Sequence, residues 1–528
     1  MPTTRRRNVL FITADQWRGD CLSAVGHPVV RTPTLDALAA DGALFERHYA
    51  NAVPCGPSRA CLHTGMYLHN HRSGTNGTPL DTRFTNWALE ARAAGYDPAL
   101  FGYTHTAPDP RGLTDDDPRL STDEGLLPGI NPVVDMATHC GPWRSWLQQF
   151  GYAVPDEHGM TYGVRGDSTR ETRSGRDAAD SDADARVPRP SIYRPEHTDT
   201  WFLTQQAMDW IADEQAKPGP GWFVHLSLRA PHPPWVAAEP YNRHYPIDGL
   251  PAPVRHADVE QEAALHPWLA VHLLRGRNQS HPDDTRHRLL QASYYGLMDE
   301  VDDNLARLFA HLHAIGAHDD TLVVFTSDHG EQMGEHWLYG KAGFFDASYH
   351  IPLIVRAPGL PGGQRVRAFT EHVDLMPTML QWLGLDVPRQ CDGASLMPFL
   401  TGTPPARWRD AAHWEFDFRD PDVEDALGLH MEECTLNVLR TEHAKYVHFP
   451  ALPPLLFDLR KDPGELVDRV PDPAYAAQRA ALLDALLSWR MRHTDKTLSH
   501  VRVTREQGIR VRGLPPGALV SGRAGSTT

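Results

Sequence analysis

The sequence predicts an α/β fold, a large and mostly parallel central sheet sandwiched by helices, followed by a smaller C-terminal α+β domain. Three observations carry this. Short β-rich runs alternate with longer helical ones up to about Pro404, the pattern of parallel strands joined by crossover helices. The chain has 528 residues, 41% hydrophobic and 22% charged, enough to bury a sizeable core, which excludes disorder and collagen-like repeats. Beyond Pro404 the texture changes to short β-like pieces and one last helix.

In chain order, the first buried strand is Asn8–Ala14; Arg5, Arg6 and Arg7 ahead of it imitate a signal peptide until Asp15 interrupts the apolar run. A helix at Thr34–Ala40 and another at Asn86–Ala94, closed by Gly95, precede the strand Asp97–Gly102. Thr161–Pro195 is charged and poor in large apolar residues, so it is an excursion from the core. Then come the helix Trp201–Glu214, ended by the Lys217-Pro-Gly-Pro-Gly loop, and the strand Trp222–Leu228. The long helix His287–Ile315, closed by Gly316, leads to the strands Thr321–Thr326 and Ile351–Arg356. Residues 1–403 form the main domain on this reading. Residues 404–500, with Ala444–His448, Leu455–Asp458 and a helix at Ala474–Arg492, form the smaller one. Residues 501–528 are a tail whose Leu514-Pro-Pro and Leu519-Val520 are apolar enough to dock on a neighbouring subunit.

Charge and cysteine usage narrow the partners. With 51 basic against 67 acidic residues the net charge is −16, which argues against nucleic acid, because affinity for a polyanion is built from Lys and Arg. An anionic ligand must then be met locally. Six cysteines form no CxxC pair, which fits a reduced compartment, and no run approaches the roughly 18 apolar residues of a membrane span. The expected location is the cytoplasm.

In open α/β sheets ligands bind beyond the carboxyl ends of the strands. There the first strand is followed by Asp15-Gln16, the second by Tyr103-Thr-His105, the third by His232 within Ala230-Pro-His-Pro-Pro234, and the fourth by Asp328-His329-Gly-Glu331. Any one of these is explained as turn chemistry; four strands delivering carboxylates and imidazoles to one rim argue for a site. Asp15, Asp328 and His329 suffice to hold a divalent cation. Gln16 and His329 reduce charge and add nitrogen, which favours Mn²⁺, with Zn²⁺, Fe²⁺ and Ca²⁺ as alternatives. Cys55 stands just ahead of a helix with Pro57 near its first turn. That setting suits a thiolate of lowered pKa beside helix amides that hold an anion, or else an inert, half-buried thiol.

The pentapeptide Cys55-Gly-Pro-Ser-Arg59 is the Cys-x-Pro-Ser-Arg signature of type I sulfatases, in which the Cys is oxidised to formylglycine. Together with Asn8–Gln16, Thr32–Leu38, Leu62-His-Thr-Gly65, Thr326–Glu331, Lys445-Tyr446 and Leu456–Leu459, it makes the chain resemble the sulfatase branch of the alkaline phosphatase superfamily. Within that branch Asp15-Gln-Trp-Arg18, Gly102-Tyr103, Pro108-Asp-Pro110, Asp328-His329 and Tyr446-Val-His-Phe449 resemble the phosphonate monoester hydrolase/phosphodiesterase group. The resemblance implies a metal shell of Asp15, Asp328, His329 and modified Cys55. Arg59, Asn76, Tyr103, His105, His232 and Lys341 then line an anion pocket, with His232 as acid for the leaving oxygen and His105 as base or oxyanion donor. It also implies a small anionic ester as substrate, a formylglycine-generating or equivalent maturation enzyme as partner, and a homotetramer.

Three positions separate substrate classes. Ser58 stands where the phosphonate group is expected to carry Ala, and His105 where it is expected to carry Thr, both moving toward sulfatases. Tyr103 replaces the Lys that many sulfatases carry. Phosphonate monoesters, phosphodiesters and sulfate monoesters are all monoanions near neutral pH and suit one pocket; phosphate monoesters are largely dianions. The expected activity is hydrolysis of phosphonate monoesters and phosphodiesters with promiscuous sulfate monoester hydrolysis. The alternatives are an arylsulfatase or alkyl sulfatase and, further off, a non-catalytic metal- and anion-binding protein.

Overall fold

In a computed structural model the described residues are 7–137, 140–152, 154, 190–274, 279–495, 497–505 and 508–511. Most of the charged excursion at 161–195 and the tail beyond 511 lie outside them. The core is an eight-stranded sheet. Its strands run in the order Gln364–Val366, Ala43–Phe45, Leu353–Arg356, Thr321–Thr326, Asn8–Ala14, Phe223–Leu228, Ala99–Gly102 and Asn131–Asp135. Every neighbouring pair is parallel except the two made by Leu353–Arg356. The sequence reading left that exception open. After Thr326 the chain stays at the carboxyl rim until His350, so the strand that re-enters there must run back through the sheet.

All seven residues of Asn8–Ala14 are buried, as expected of a parallel strand covered on both faces. Alternation then splits them between two cores. Leu10 and Ile12 pack on one side with Leu203, Ile211 and Leu305, from the helices Asp199–Gln215 and Asp284–Ala314. Val9 and Phe11 pack on the other with Leu62, Trp87 and Met379, from the helices Cys55–Thr64, Trp87–Ala93 and Leu375–Leu383. Asn86 caps its helix by accepting from the Ala88 and Leu89 amides.

A second sheet, antiparallel from Ala411–Asp417 through Thr435–Thr441 and Ala444–His448 to Leu455–Asp458, takes Ala52–Val53 as a parallel edge strand. It therefore holds the residues immediately before Cys55. Helix Ala476–Arg492 covers it through Leu482, Leu486 and Trp489. The tail begins as a two-stranded ribbon, Val501–Thr504 with Gly508–Val511, which the sequence did not signal.

Parallel alignment brings Ala14, Leu228, Gly102 and Thr326 to one rim. Gly102 makes the closest approach there. Its φ is +124°, and a Cβ would lie 2.0 Å from the Ser227 carbonyl oxygen, so no side chain fits and the backbone favours glycine. Gly102→Ala is expected to cost about 3 kcal/mol through strain and overpacking, read as a lower denaturant midpoint. An unchanged midpoint would mean that the two strands separate freely at this end.

Candidate active site

Each strand ending at that rim hands a polar residue to the same spot. Asp15, Cys55, Asp328 and His329 are all buried, and one potential ligand atom from each lies within 4.8 Å of every other. Cys55 opens the helix Cys55–Thr64 instead of preceding it, and its Sγ is 3.1 Å from His329 Nε2. The His329 Nδ1 faces the Gly330 carbonyl at 3.0 Å, which assigns its proton to Nδ1 and leaves Nε2 with a lone pair toward the cluster.

Arg59, one turn along the same helix, ties the two carboxylates together. Its Nε donates to Asp328 Oδ2 at 2.9 Å and its Nη2 to Asp15 Oδ2 at 3.1 Å. Nη1 donates to the Tyr103 carbonyl at 3.0 Å and to Ser227 Oγ at 2.9 Å. This leaves Asp15 Oδ1 fully buried with no hydrogen-bond partner among the described residues. Such an atom is costly unless something binds it. An orphaned carboxylate oxygen beside a second carboxylate, an imidazole lone pair and Cys55 is a donor set that fits a divalent cation.

Two predicted pocket residues are engaged otherwise than expected. The Tyr103 hydroxyl, read as a donor to an anion, donates to Asp15 Oδ2. The Gly56 amide, one of the helix amides read as available to an anion, donates to Asn76 Oδ1 at 2.9 Å. Against the thiolate reading of Cys55, burial first and then Asp15 push its thiol up to about 12. As cysteine it is a protonated, weak nucleophile at neutral pH.

Asp15 and Cys55 of this cluster line a cleft of about 840 Å³ whose walls carry Asn76, Tyr103, His105, Arg229, His232 and Lys341. Lys341 Nζ donates to Gln16 Oε1 at 2.7 Å and lies 3.4 Å from His232 Nε2. His232 Nδ1 lies 2.6 Å from the Pro233 carbonyl, so Nε2 accepts. Burial, then Lys341, push His232 down to about 3. His105 is pushed down to about 4 by burial, then Arg59, and its Nε2 is buried with no hydrogen-bond partner among the described residues. Both rings are neutral at pH 7. Lys341 stays charged: its burial lowers the pKa, but Cys55, Asp15 and Asp328 outweigh it and hold the group above its ordinary value.

Sequence reasoning missed Arg229, Asp123 and Glu124 in the cleft wall. Arg229 follows the strand Phe223–Leu228 directly, so inspecting the strand end would have found it. Asp123 and Glu124 lie in a long connection and carry no such signal.

A family model described as Sulfatase matches residues 7–385, and one described as N-sulphoglucosamine sulphohydrolase, C-terminal, matches residues 334–492. The multifunctional alkaline phosphatase superfamily protein PehA of Trinickia caryophylli is 40% identical over 527 residues, covering 96% of this chain and 99% of its own. The phosphonate monoester hydrolase of Agrobacterium radiobacter superposes with a TM-score of 0.88 at 45% identity, covering 96% of this chain and 100% of that one. That of Silicibacter pomeroyi superposes with a TM-score of 0.87 at 40% identity, covering 96% and 99%.

The Arg59 bridge yields a stability test. Arg59→Met leaves two buried carboxylates facing each other without their shared cation, so the metal-free protein is expected to lose about 3–5 kcal/mol. Added divalent cation should recover part of it. An unchanged denaturation midpoint in the metal-free variant would show that Arg59 does not hold the pair.

Proposed function

The chain belongs to the sulfatase family, and from that premise we propose that it is a metal-dependent hydrolase of phosphonate monoesters and phosphodiesters. Cys55, matured to formylglycine, is the nucleophile, and sulfate monoesters are secondary substrates. The observation that carries this reading is the convergence of Cys55 with Asp15, Asp328 and His329, the first two of which line a cleft that also presents Lys341 and His232. Two of the relatives described above are named phosphonate monoester hydrolases, and the third is named a multifunctional alkaline phosphatase superfamily protein.

Asp15, Asp328, His329 and matured Cys55 would hold a divalent cation, Mn²⁺ favoured over Zn²⁺, Fe²⁺ and Ca²⁺, which when bound would lower the nucleophile's pKa and draw charge from the ester oxygens. The hydrated aldehyde of formylglycine supplies one hydroxyl for attack and a second whose deprotonation releases the product. Arg59 holds the two carboxylates in register. Asn76, by fixing the Gly56 amide, holds the first turn on which residue 55 sits. Lys341, charged and aimed into the cleft, neutralises a non-bridging oxygen as charge develops. His232 is the acid for the leaving oxygen: its neutral Nε2, 3.4 Å from Lys341 Nζ, takes up a proton from solvent and passes it on, while Lys341 keeps its own proton and its charge. His105, neutral with Nε2 uncommitted, serves as base or oxyanion partner.

Charge supports the substrate order. Arg59 is already shared between two carboxylates, both histidines are neutral and the Arg229 guanidinium lies over the Tyr103 ring in the cleft wall, so beyond Arg59 the cation whose charge bears on residue 55 is Lys341. That suits a monoanion better than a dianion.

None of the six cysteines is paired in a disulfide, which supports a cytoplasmic location, and no helix among the described residues is long and apolar enough to cross a membrane. A maturation enzyme acting on Cys55 is implied. Leu483, Leu487 and Met491 are exposed at helical spacing on Ala476–Arg492, an apolar stripe that supports assembly into a homotetramer.

The mass of the Cys55 peptide is expected to show formylglycine. Cys55→Ala should keep its fold while losing hydrolysis by at least about a thousandfold. Across matched esters kcat/KM should fall from phosphonate monoester or phosphodiester through sulfate monoester to phosphate monoester. Unmodified Cys55 in fully active enzyme would reject the nucleophile, and a sulfate ester far ahead of the others would make the chain a sulfatase with the same centre.

A leaving-group series separates catalysis from binding at His232. His232→Ala should slow an alkyl ester more than a nitrophenyl ester, since acid assistance matters most for a basic alcohol. Equal losses would assign His232 to binding.

A further inference from the structure

The cleft, at about 840 Å³, is far larger than the reacting group requires, and its outer wall is acidic. Asp123 and Glu124 line it, beside Leu120 and Ala137. They sit on the connection between the strands Ala99–Gly102 and Asn131–Asp135, and the base of that connection is pinned. The Thr106 amide donates to the Gly125 carbonyl at 2.8 Å. The Thr104 hydroxyl donates to the same carbonyl at 3.1 Å and accepts from the Leu127 amide at 2.8 Å. A side chain at Gly125 would place its Cβ 2.5 Å from the Thr106 carbonyl oxygen, so glycine is required next to Glu124. The two carboxylates are thus held by a framework and are not a chance feature of a loose loop.

Neither carboxylate is neutralised among the described residues. Asp123, 58% exposed, has His105 as its ion-pair candidate, Nε2 to Oδ2 at 3.7 Å, and that ring is neutral. The Glu124 carboxylate lies within reach of the Arg229 charge but makes no hydrogen bond or ion pair with it. The Arg229 guanidinium lies 5.1 Å over the Tyr103 ring. A separate sign of a ligand is His105 itself: it lines the same cleft, is 93% buried, and carries an Nε2 with no hydrogen-bond partner among the described residues.

We propose that this wall binds a cationic nitrogen on the organic group of the ester, so that the preferred substrates are zwitterions: a phosphonate monoester or phosphodiester monoanion joined to an ammonium-bearing alcohol. This deepens the hydrolase reading above and rests on it. The physical choice is between three kinds of organic group. An anionic one is repelled by Asp123 and Glu124. A neutral one leaves them to water. A cationic one pairs with both while its carbon shell lies on Leu120 and Ala137. Because the carboxylates are partly solvated, each pairing is worth what a surface ion pair is worth, and together they give a preference of about three- to tenfold. Salt weakens it.

The test compares two diesters of one leaving group, para-nitrophenyl phosphocholine and para-nitrophenyl dimethylbutyl phosphate, in which carbon replaces the quaternary nitrogen. The wild-type enzyme is expected to favour the choline ester about three- to tenfold in kcat/KM. The ratio should shrink as ionic strength rises and fall to about one in the double variant Asp123→Asn, Glu124→Gln. Turnover of both esters at a ratio of one or below, or a preference that survives the double variant, overturns this proposal and leaves the hydrolase reading standing. No turnover of either ester by formylglycine-containing enzyme overturns the hydrolase reading and this one together.

Discussion

The structure depends on holding two buried carboxylates side by side. Asp15 and Asp328 follow adjacent parallel strands, paired from Asn8↔Thr321 to Thr13↔Thr326, so the sheet itself forces their proximity. Two ionised carboxylates in a dry interior repel strongly. Arg59 answers that repulsion by bonding one oxygen of each, and it reaches them only because the helix Cys55–Thr64 points its first turn at the rim. The position of Cys55 follows from that of Arg59. Residue 55 is one turn before 59, and the turn that aims the guanidinium at the carboxylates also lays the Cys55 side chain on the remaining oxygens. Nucleophile placement and charge neutralisation are one geometric fact.

Much of this was legible in the sequence because it rests on local patterns. Continuous apolar runs such as Asn8–Ala14 and Thr321–Thr326 are what fully buried parallel strands require, and the residues after them are bound to share a rim. The helix Trp87–Ala93 announces itself by the Asn86 cap. Other features depend on contacts distant in sequence. The strand Ala411–Asp417 alternates apolar residues with His413, Glu415 and Asp417, which reads as a half-exposed strand. All seven residues are buried, because Glu415 is bonded by His69 and Arg490 and the His413 ring stacks on Trp489. Its pairing with Ala52–Val53, which anchors the approach to Cys55, joins segments more than three hundred residues apart. No periodicity announces such a pairing.

The same limit separates the centre of the site from its lining. Asp15, Cys55, Asp328 and His329 occupy strand ends or the start of a helix, where position in the fold dictates position in space. The hydrogen-bonding state of the lining is set by neighbours. Tyr103 donates to Asp15 and not to a ligand, and Asn76 occupies the Gly56 amide. Residue type gives the capacity of a group to donate or accept; the partner that uses that capacity is a tertiary fact. Ser58 is a third case. Its hydroxyl, read as a mark of substrate class, donates to the Asp328 carbonyl and lies 3.2 Å from His372 Nδ1, so it braces the loop that carries Asp328 and His329 from behind.

That division bears on how one centre would serve the several esters proposed as substrates. Fixed groups surround the reacting atom, tied by the Arg59 bridge and the strand ends, and a substitution there disturbs fold and chemistry together. The outer wall hangs on a connection between two strands and is pinned at its base by the Thr104 hydroxyl and the Thr106 amide. Residues beyond that pin can change without moving a strand. On the readings proposed above, discrimination among organic groups falls to Asp123, Glu124 and Leu120, and discrimination by charge at the reacting atom to Lys341 and the two neutral histidines. The first acts through a partly solvated surface and is graded; the second acts in a desolvated interior and is steep.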